Sequence, residues 1–464
     1  VPDLTGPDAL REPAPLTYEQ EWYLANTRGS SRAQKNVRLS YEILGPLDAE
    51  LLAEAVRRFV ARHDALRMTL IPPGDPAAAD PGAAGGDRPV AQRALPARPG
   101  DRPLTVEHVT AASARQFSRY ASAVLSRDVL TPLIGRDRPF TVRLLRYGPE
   151  HHAFLATFAN LFFDGRAHDL FAREVWRDYA ALRDEGTAPP LVATSFAEAA
   201  RRQRASHGPR HLERARASWH RRLEFAARNR WREPGGIRST PSGTVHAEIP
   251  AAEVEALRAF CRGAQCTVTQ WLVGSFVAAL ARCAGQRRVS LWTSVDSRRT
   301  AEREVVGMFA GPAPIAIDAP GATLPDVVAE VGVAMVDALR HQQLTARELA
   351  RLLDDAGTEA GPLPRDVYVN LRTFPGSLHG ADAGDGPRIT ADAYPLRRIS
   401  FQESAALHLR CNEYRDAIVI DLVFDGRRVG GPLARTIADR IVADATGVRA
   451  TGVRRPPAPG KALP

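Results

Sequence analysis

Apolar and polar positions alternate from His152 to Leu161. His152, Phe154, Ala156, Phe158 and Asn160 fall on one face; Leu155, Thr157, Ala159 and Leu161 fall on the other. That period predicts a buried strand. Asp164-Gly165 follows as a turn signal, with Gly165 able to take a backbone shape that other residues resist. Leu170, Phe171, Val175, Trp176 and Tyr179 then recur at helical spacing. A strand, a tight polar turn and a helix in succession hold side chains rigidly at a cleft.

The same reading extends along the chain. Val37, Leu39, Tyr41 and Ile43 alternate as a strand. Asp48 caps a helix that carries Leu51, Leu52, Ala55, Val56, Phe59 and Val60 on one stripe. Pro72 to Pro103, rich in Pro, Gly, Ala and Asp and without period, predicts a surface loop or disordered insertion. A strand at Leu104 to Val109, a helix at Ala112 to Leu130 and a strand at Phe140 to Leu145 precede the central unit. Gly186 to Pro190 marks a boundary, giving an N-terminal part over 1–185 and a second part over 186–464. In the second part, Val254 to Phe260 and Val268 to Ala281 read as helices, and Val289 to Thr293 as a strand. Arg449 to Pro464 has the composition of a disordered tail.

Composition changes this picture little. The 464 residues are 44% hydrophobic and 25% charged, as in an ordinary soluble globular protein. The net charge is +9, but Lys35 and Lys461 are the only lysines. Such arginine usage reflects coding bias more than a nucleic-acid partner, and no recognition motif accompanies it. Ala197 to Arg232 holds 11 Arg and 3 Glu. Two readings of that stretch stand: a solvated helical face, or a docking surface for an acidic partner. Cys261, Cys266, Cys283 and Cys411 include no CxxC pair, so neither a disulfide scaffold nor a zinc site is expected, and a reducing cytoplasm is. The longest apolar run, Trp271 to Ala281, is too short to span a bilayer. The first residues lack the basic start and apolar core of a signal peptide. No membrane and no nucleic acid enters the expectation.

Several stretches, in order, resemble the condensation domains of nonribosomal peptide synthetases, members of the chloramphenicol-acetyltransferase-like superfamily. Their hallmark is His-His-x-x-x-Asp-Gly, and the second His is the proposed base. Here that motif reads Ala159-Asn160-Leu161-Phe162-Phe163-Asp164-Gly165. The Asp-Gly is kept and both histidines are gone. Leu16-Thr17-Tyr18-Glu19-Gln20-Glu21-Trp22 is similar to the family's opening Ser-x-Ala-Gln-x-Arg-Leu-Trp, with Gln20 matched and the Arg missing. Arg62-His63-Asp64-Ala65-Leu66-Arg67 resembles its Arg-His-Glu-x-Leu-Arg, and Trp219 sits at its Tyr-Trp pair. Val295-Asp296-Ser297-Arg298 resembles Val-x-Gly-Arg, whose Arg pairs with the motif Asp. Val306-Gly307-Met308-Phe309-Ala310-Gly311-Pro312 resembles Val-Gly-x-Phe-x-Asn-Thr, and His341-Gln342-Gln343 resembles His-Gln-Asp.

The resemblance implies an α/β fold: two chloramphenicol-acetyltransferase-like lobes in a V shape with a central tunnel, the second lobe carrying the inter-lobe helices. It implies a free-standing or excised cytoplasmic transferase of natural-product and antibiotic biosynthesis. Such a protein joins an acyl or aminoacyl thioester to an amine or alcohol. No cofactor stays bound; the substrate rides on the phosphopantetheine of an acyl or peptidyl carrier protein. The alternative is a non-catalytic domain that binds a carrier protein or recruits a tailoring enzyme.

The candidate site follows from the motif. Asn160 stands where the base would be; its amide cannot shuttle protons near neutrality, but it donates and accepts hydrogen bonds. Asp164 reads as a brace for the turn, paired with Arg298, in preference to a general base, and Gly165 completes the turn. His168, four residues after Asp164, is a substitute base whose helix position points it elsewhere. The pair His151-His152 has no Asp-Gly at the motif spacing and reads as ordinary strand residues. Arg214, Arg216, Arg221 and Arg222 are the candidates for carrier docking.

Overall fold

The computed structural model describes residues 12–27, 36–71, 91–98, 100–192, 194–206, 208–231, 240–319, 323–357, 366–374, 378, 387–394 and 405–449. Most of the expected insertion, at residues 72–90 and 99, and the tail beyond Arg449 lie outside the described residues.

In the first half, β1 (Ala14–Pro15), α1 (Tyr18–Thr27), β2 (Asn36–Leu44), α2 (Ala49–Arg62), β3 (Met68–Ile71), β4 (Ala91–Ala94) and β5 (Leu104–His108) come first. They are followed by α3 (Ala114–Leu130), β6 (Phe140–Arg146), β7 (His151–Ala159), α4 (Gly165–Glu185) and α5 (Phe196–Ala205). The second half brings α6 (Pro209–Arg228), β8 (Gly243–Pro250), α7 (Ala251–Gly263), α8 (Val268–Ala284), β9 (Arg288–Asp296) and β10 (Ala310–Asp318). It ends with α9 (Leu324–Arg340), α10 (Ala346–Gly357), β11 (Val367–Thr373), β12 (Arg388–Ala391), β13 (Leu407–Glu413), β14 (Ala417–Phe424) and α11 (Gly431–Thr446).

These elements form two compact α/β units that do not divide the chain at one point. The first comprises residues 1–208 with two later segments, 296–310 and 378–400; the second comprises 209–295, 311–377 and 401–464. The Gly186 to Pro190 stretch lies inside the first unit, which runs on through α5. Phe196 and Ala199 of α5 are fully buried in its core.

The first unit is built on a five-stranded sheet of order β12-β2-β7-β6-β5, antiparallel except for β5 beside β6. The alternation read along β7 is what this sheet uses. Phe154, Ala156 and Phe158 enter one cluster with Phe59 of α2 and Phe171 of α4. Ala153 and Leu155 enter another with Phe117 and Leu125 of α3. Both faces are covered, so the strand reads as a near-continuous apolar run. α2 begins at Asp48, whose carboxylate accepts from the backbone of Glu50 and Leu51, as its capping position requires. β4 corrects the sequence reading. Ala91–Ala94 was expected within a loop, yet it pairs antiparallel with β3 and with β1. Its strand character comes from those distant partners, to which four residues of weak propensity offer no local clue.

The second unit has a six-stranded sheet of order β10-β9-β11-β13-β14-β8. β9, β11 and β13 run parallel, and β14 and β8 follow antiparallel. Its core gathers Phe276 and Leu280 of α8, Ile437 and Ile441 of α11, and the inward residues of β13 and β14. α8 starts with a capping box between Thr267 and Gln270 and stops at Gly285 in the left-handed region. Among the described residues no single helix is long and apolar enough to cross a membrane. All four cysteines are free thiols.

Candidate functional site

β7 ends at Ala159, residues 160–162 turn, and α4 starts at Gly165. Phe162 and Phe163 bury inside the turn, and the Phe163 ring stacks on Phe158 with centroids 3.9 Å apart. Those rings fix the turn from within. Gly165 is a correction: it is the first helical residue, and positive φ values among the described residues fall elsewhere. Asp164 is extended and caps the helix directly, so no left-handed residue is needed to enter it.

Asp164 is 2% exposed, and both its oxygens are filled. Oδ1 accepts from Ala167 N at 2.9 Å and Arg298 Nη2 at 2.9 Å; Oδ2 accepts from Arg298 Nη1 at 2.7 Å and Phe309 N at 2.9 Å. Arg298 in turn spends all five of its N–H donors. Beyond Asp164 they reach Asp296 Oδ1, Val305 O and Gly307 O at 3.0, 3.1 and 3.2 Å. Burial opposes the guanidinium charge, but Asp164 and then Asp296 outweigh it and hold the Arg298 pKa above its ordinary value. Asp164 and Arg298 both belong to the first unit. The pair is a brace: a carboxylate with four donors on it has no lone pair left to take a proton from a substrate.

Segment 306–309 completes the brace. Gly307 O accepts from Asp164 N at 3.2 Å. A Cβ on Gly307 would lie 2.2 Å from the Phe196 ring, so only glycine lets this segment come so close. The Arg298 guanidinium lies over the Phe309 ring, 4.4 Å from its centroid.

Asn160 contrasts with Asp164. It is half-buried, its backbone carbonyl faces Phe163 N, and its carboxamide makes no hydrogen bond among the described residues. The next carbonyl, Leu161 O, accepts from Gln20 Nε2 at 3.0 Å. Gln20 is fully buried, and its Oε1 accepts from Thr17 N at 2.9 Å; its carboxamide also meets that of Gln92. Thr17 Oγ1 donates to Met308 O at 3.1 Å. One N-terminal segment therefore holds both the turn and the brace. The sequence marked Gln20 only as a matched motif position; its hold on Leu161 needed the fold.

His168 is 5% exposed, with Nδ1 3.6 Å from Asp169 Oδ1. His151 and His152 open β7, at the end far from the turn. His151 Nε2 meets Glu42 Oε1 at 2.9 Å and buried His152 Nε2 meets Pro149 O at 3.1 Å, as ordinary strand residues do. The Arg62-to-Arg67 stretch is a structural knot. Arg62 pairs with Glu174 and, at 3.0 Å, with Asp178. His63 bridges Glu174 at 3.1 Å and Thr194 at 2.8 Å. Asp64 accepts from Phe196 N at 2.7 Å and Ser195 Oγ at 2.9 Å, capping α5.

The four arginines of α6 separate. Arg214 and Arg221 are exposed, with no ion pair among the described residues. Arg216 is exposed and pairs with Glu348 through Nε at 2.9 Å. Arg222 is buried and points inward, which removes it from any docking surface. It lies beside Trp219, which is fully buried and donates to Gln342 O at 3.2 Å.

A two-unit α/β protein with an Asp-Gly turn braced by a buried arginine is of the chloramphenicol-acetyltransferase-like class. The family model described as Condensation domain matches residues 11–403, and the chain belongs to that family. It is similar to the phosphinothricin tripeptide synthetase PhsB of Streptomyces viridochromogenes, 26% identical over 403 residues. That match takes in 83% of this chain and 32% of PhsB, so the chain spans about a third of that curated relative's length. Among solved structures, the first condensation domain of the calcium-dependent antibiotic synthetase, in complex with a substrate analogue, superposes with a TM-score of 0.71 at 19% identity. The match covers 96% of this chain and 98% of that one. The X-domain in its complex with OxyB from teicoplanin biosynthesis gives a TM-score of 0.65 at 22% identity, over 97% of both chains. At these identities the likeness is one of fold.

Proposed function

We propose that this chain is a condensation-type acyltransferase that joins an acyl or aminoacyl thioester, carried on the phosphopantetheine of a carrier protein, to an amine or alcohol in natural-product biosynthesis. The observation that carries the reading is the contrast within one turn. Asp164 is saturated and locked to Arg298, while Asn160 stands half-buried with its carboxamide unengaged among the described residues. A turn kept this rigid around one unspent polar group suits a group that acts on substrate. Asn160 takes the place of the usual His and holds the nucleophile or the developing oxyanion through hydrogen bonds. Loss of base assistance forfeits about a hundred- to ten-thousandfold, and positioning of two reactants contributes more than that.

The test is intact-mass spectrometry of loaded carrier proteins mixed with this protein and a nucleophile. Asn160→Ala lowers turnover by roughly ten- to thousandfold, the range for a lost positioning or oxyanion hydrogen bond. Full activity in Asn160→Ala sinks the assignment of Asn160.

Carrier docking falls to the exposed arginines of α6. Binding weakens as salt rises, and Arg214→Glu with Arg221→Glu weakens it further. Unchanged affinity in that double variant assigns these arginines to solubility alone.

A second reading rests on the X-domain, whose fold this chain shares and which was solved bound to a second protein, OxyB. On that reading the chain docks a carrier or a partner enzyme and makes no bond. Carrier binding without product, for any donor and nucleophile, selects it.

A further inference from the structure

We propose that the outer face of α9 docks a second copy of this chain, with α9 packing antiparallel on itself in a two-fold dimer. α9 opens with a capping box between Thr323 and Asp326 and runs for 17 residues in the second unit. The core settles its inner side. Val327, Val328, Val331 and Ala338 are buried in one cluster with Phe276 and Leu280 of α8. The two helices meet closely: a Cβ on Gly274 of α8 would lie 2.5 Å from the Val328 side chain. Along one flank, Asp337 accepts from Ser218 Oγ of α6 at 2.7 Å. These contacts fix one rotation of the helix. That rotation turns Val333, Val336 and Leu339 outward, at 69%, 43% and 47% exposure. α11 also packs on α8, but its outward positions include Arg435, Asp439 and Arg440. A lone exposed apolar side chain needs no explanation, whereas three on one face of one helix mark an interaction surface.

The order of residues on that face selects the partner. Asp326, Ala329, Val333, Val336 and Arg340 are all exposed and follow at spacings of three and four, the period of a helix-pairing seam. An acid stands at one end, a base at the other, and the valines lie in the middle. Antiparallel pairing about a point between Val333 and Val336 sets each Val333 against the partner's Val336. Arg340 then lies over the partner's Ala329, whose small side chain leaves room for the arginine stem. The partner's Asp326 is three residues further on, about 4.5 Å along the axis, within reach of the guanidinium. Among the described residues Asp326 meets Thr323 through Oδ2, at 3.0 and 2.6 Å, and Oδ1 takes the arginine. The two-fold repeats every contact, as an isologous interface requires. A parallel pair would instead set Asp326 on Asp326 and Arg340 on Arg340. One helix pair buries less than the roughly 1,200 Å² of a standard interface. The dimer is therefore concentration-dependent, with a Kd on the order of micromolar.

Sedimentation equilibrium of the intact chain, from about 1 to 100 μM to bracket that affinity, tests the proposal. The expected result is a rise from the mass of one chain to that of two. Val333→Glu with Val336→Glu keeps the wild-type helical circular dichroism, since both side chains face water, and stays at one chain throughout. Arg340→Asp weakens dimerisation about tenfold through loss of two symmetry-related surface pairs, and Asp326→Arg does the same. Equimolar mixing of these two single variants restores the affinity, because each then meets the opposite charge at both ends. The mass of one chain over the whole range overturns the proposal. Dimerisation that survives the double valine variant overturns the assignment to α9. Single variants that dimerise undiminished, or a mixture that restores nothing, overturn the antiparallel register. A wild type that stays single, and binds an acidic carrier protein through Val333 and Val336, gives this face a different occupant and overturns the second copy.

Discussion

Arg298 in the first unit and Arg222 in the second are both taken out of water, at 2% and 7% side-chain exposure. Their surroundings differ. Arg298 faces a buried carboxylate in a two-pronged contact and keeps its proton more firmly than an ordinary arginine. Arg222 is met by the carbonyls of Ser218, Pro314 and His341 at 3.2, 3.1 and 3.4 Å, and its nearest carboxylate, Asp337, stands 3.9 Å away and one-third exposed. Burial therefore wins at Arg222 and pushes its pKa down to about 10, still charged at neutrality. His63 resolves the same problem a third way. Fully buried, its pKa is lowered by burial against the pull of Glu174, and it sits in the interior neutral. A full ion pair is used where the chain must hold one exact backbone course around Asp164. Carbonyl ties and a neutral imidazole suffice where helices only need fastening.

The comparison can be broken most sharply at Arg298. Arg298→Met leaves Asp164 buried without its counter-charge, a loss of about 3–5 kcal/mol for a severed buried pair, read by urea unfolding. Arg222→Met removes a charge that burial already disfavours and frees three carbonyls, so its cost is about 1–3 kcal/mol. Equal losses in the two variants would show that carboxylate pairing is not what separates them.

The smallest effect concerns His63. Its folded pKa lies below its unfolded value of about 6.5, so the unfolded state binds more protons in that window. Stability is complete above pH ~6.5 and falls as the pH drops below it. Glu174 is also lowered, and its own loss begins only below the ordinary glutamate range, near pH 4.3. Melting temperature measured from about pH 7 to 5, a range that spans the imidazole value and stays above the glutamate one, therefore reads the buried imidazoles: His63 and also His152, whose pKa burial lowers too. The wild type declines by a few degrees, and His63→Gln declines less. A parallel decline in both would place the acid-sensitive group elsewhere.

Much of the first unit could be read from the chain because its signals are local. The β7 alternation, the Asp48 cap and the α4 stripe each lie within one stretch of residues, and each appears where expected. The pairing of Asp164 with Arg298 was legible only through the resemblance, since 134 positions separate the two. The role of Gly165 was misread because a turn dipeptide suggests a left-handed residue, whereas the cap made it helical. Ala91–Ala94 was missed because β3 and β1 make it a strand. Arg222 was grouped with its neighbours because charge alone does not say which side of a helix is buried.

What the sequence by itself determined is the local course of β7, α2 and α4, the family, and the identity of the residues in the turn. It set the chemistry at position 160 as well, because an amide cannot do an imidazole's work wherever it is placed. Which polar groups are spent and which are free was decided by the tertiary structure alone. Asp164 is saturated by donors from Arg298 and Phe309, and Leu161 is held by Gln20 across 141 positions. Hydrogen bonds and burial act over a few ångströms in space without regard to distance along the chain. A residue's type states what it can do; only the neighbours that folding brings to it determine whether it is still available to do it.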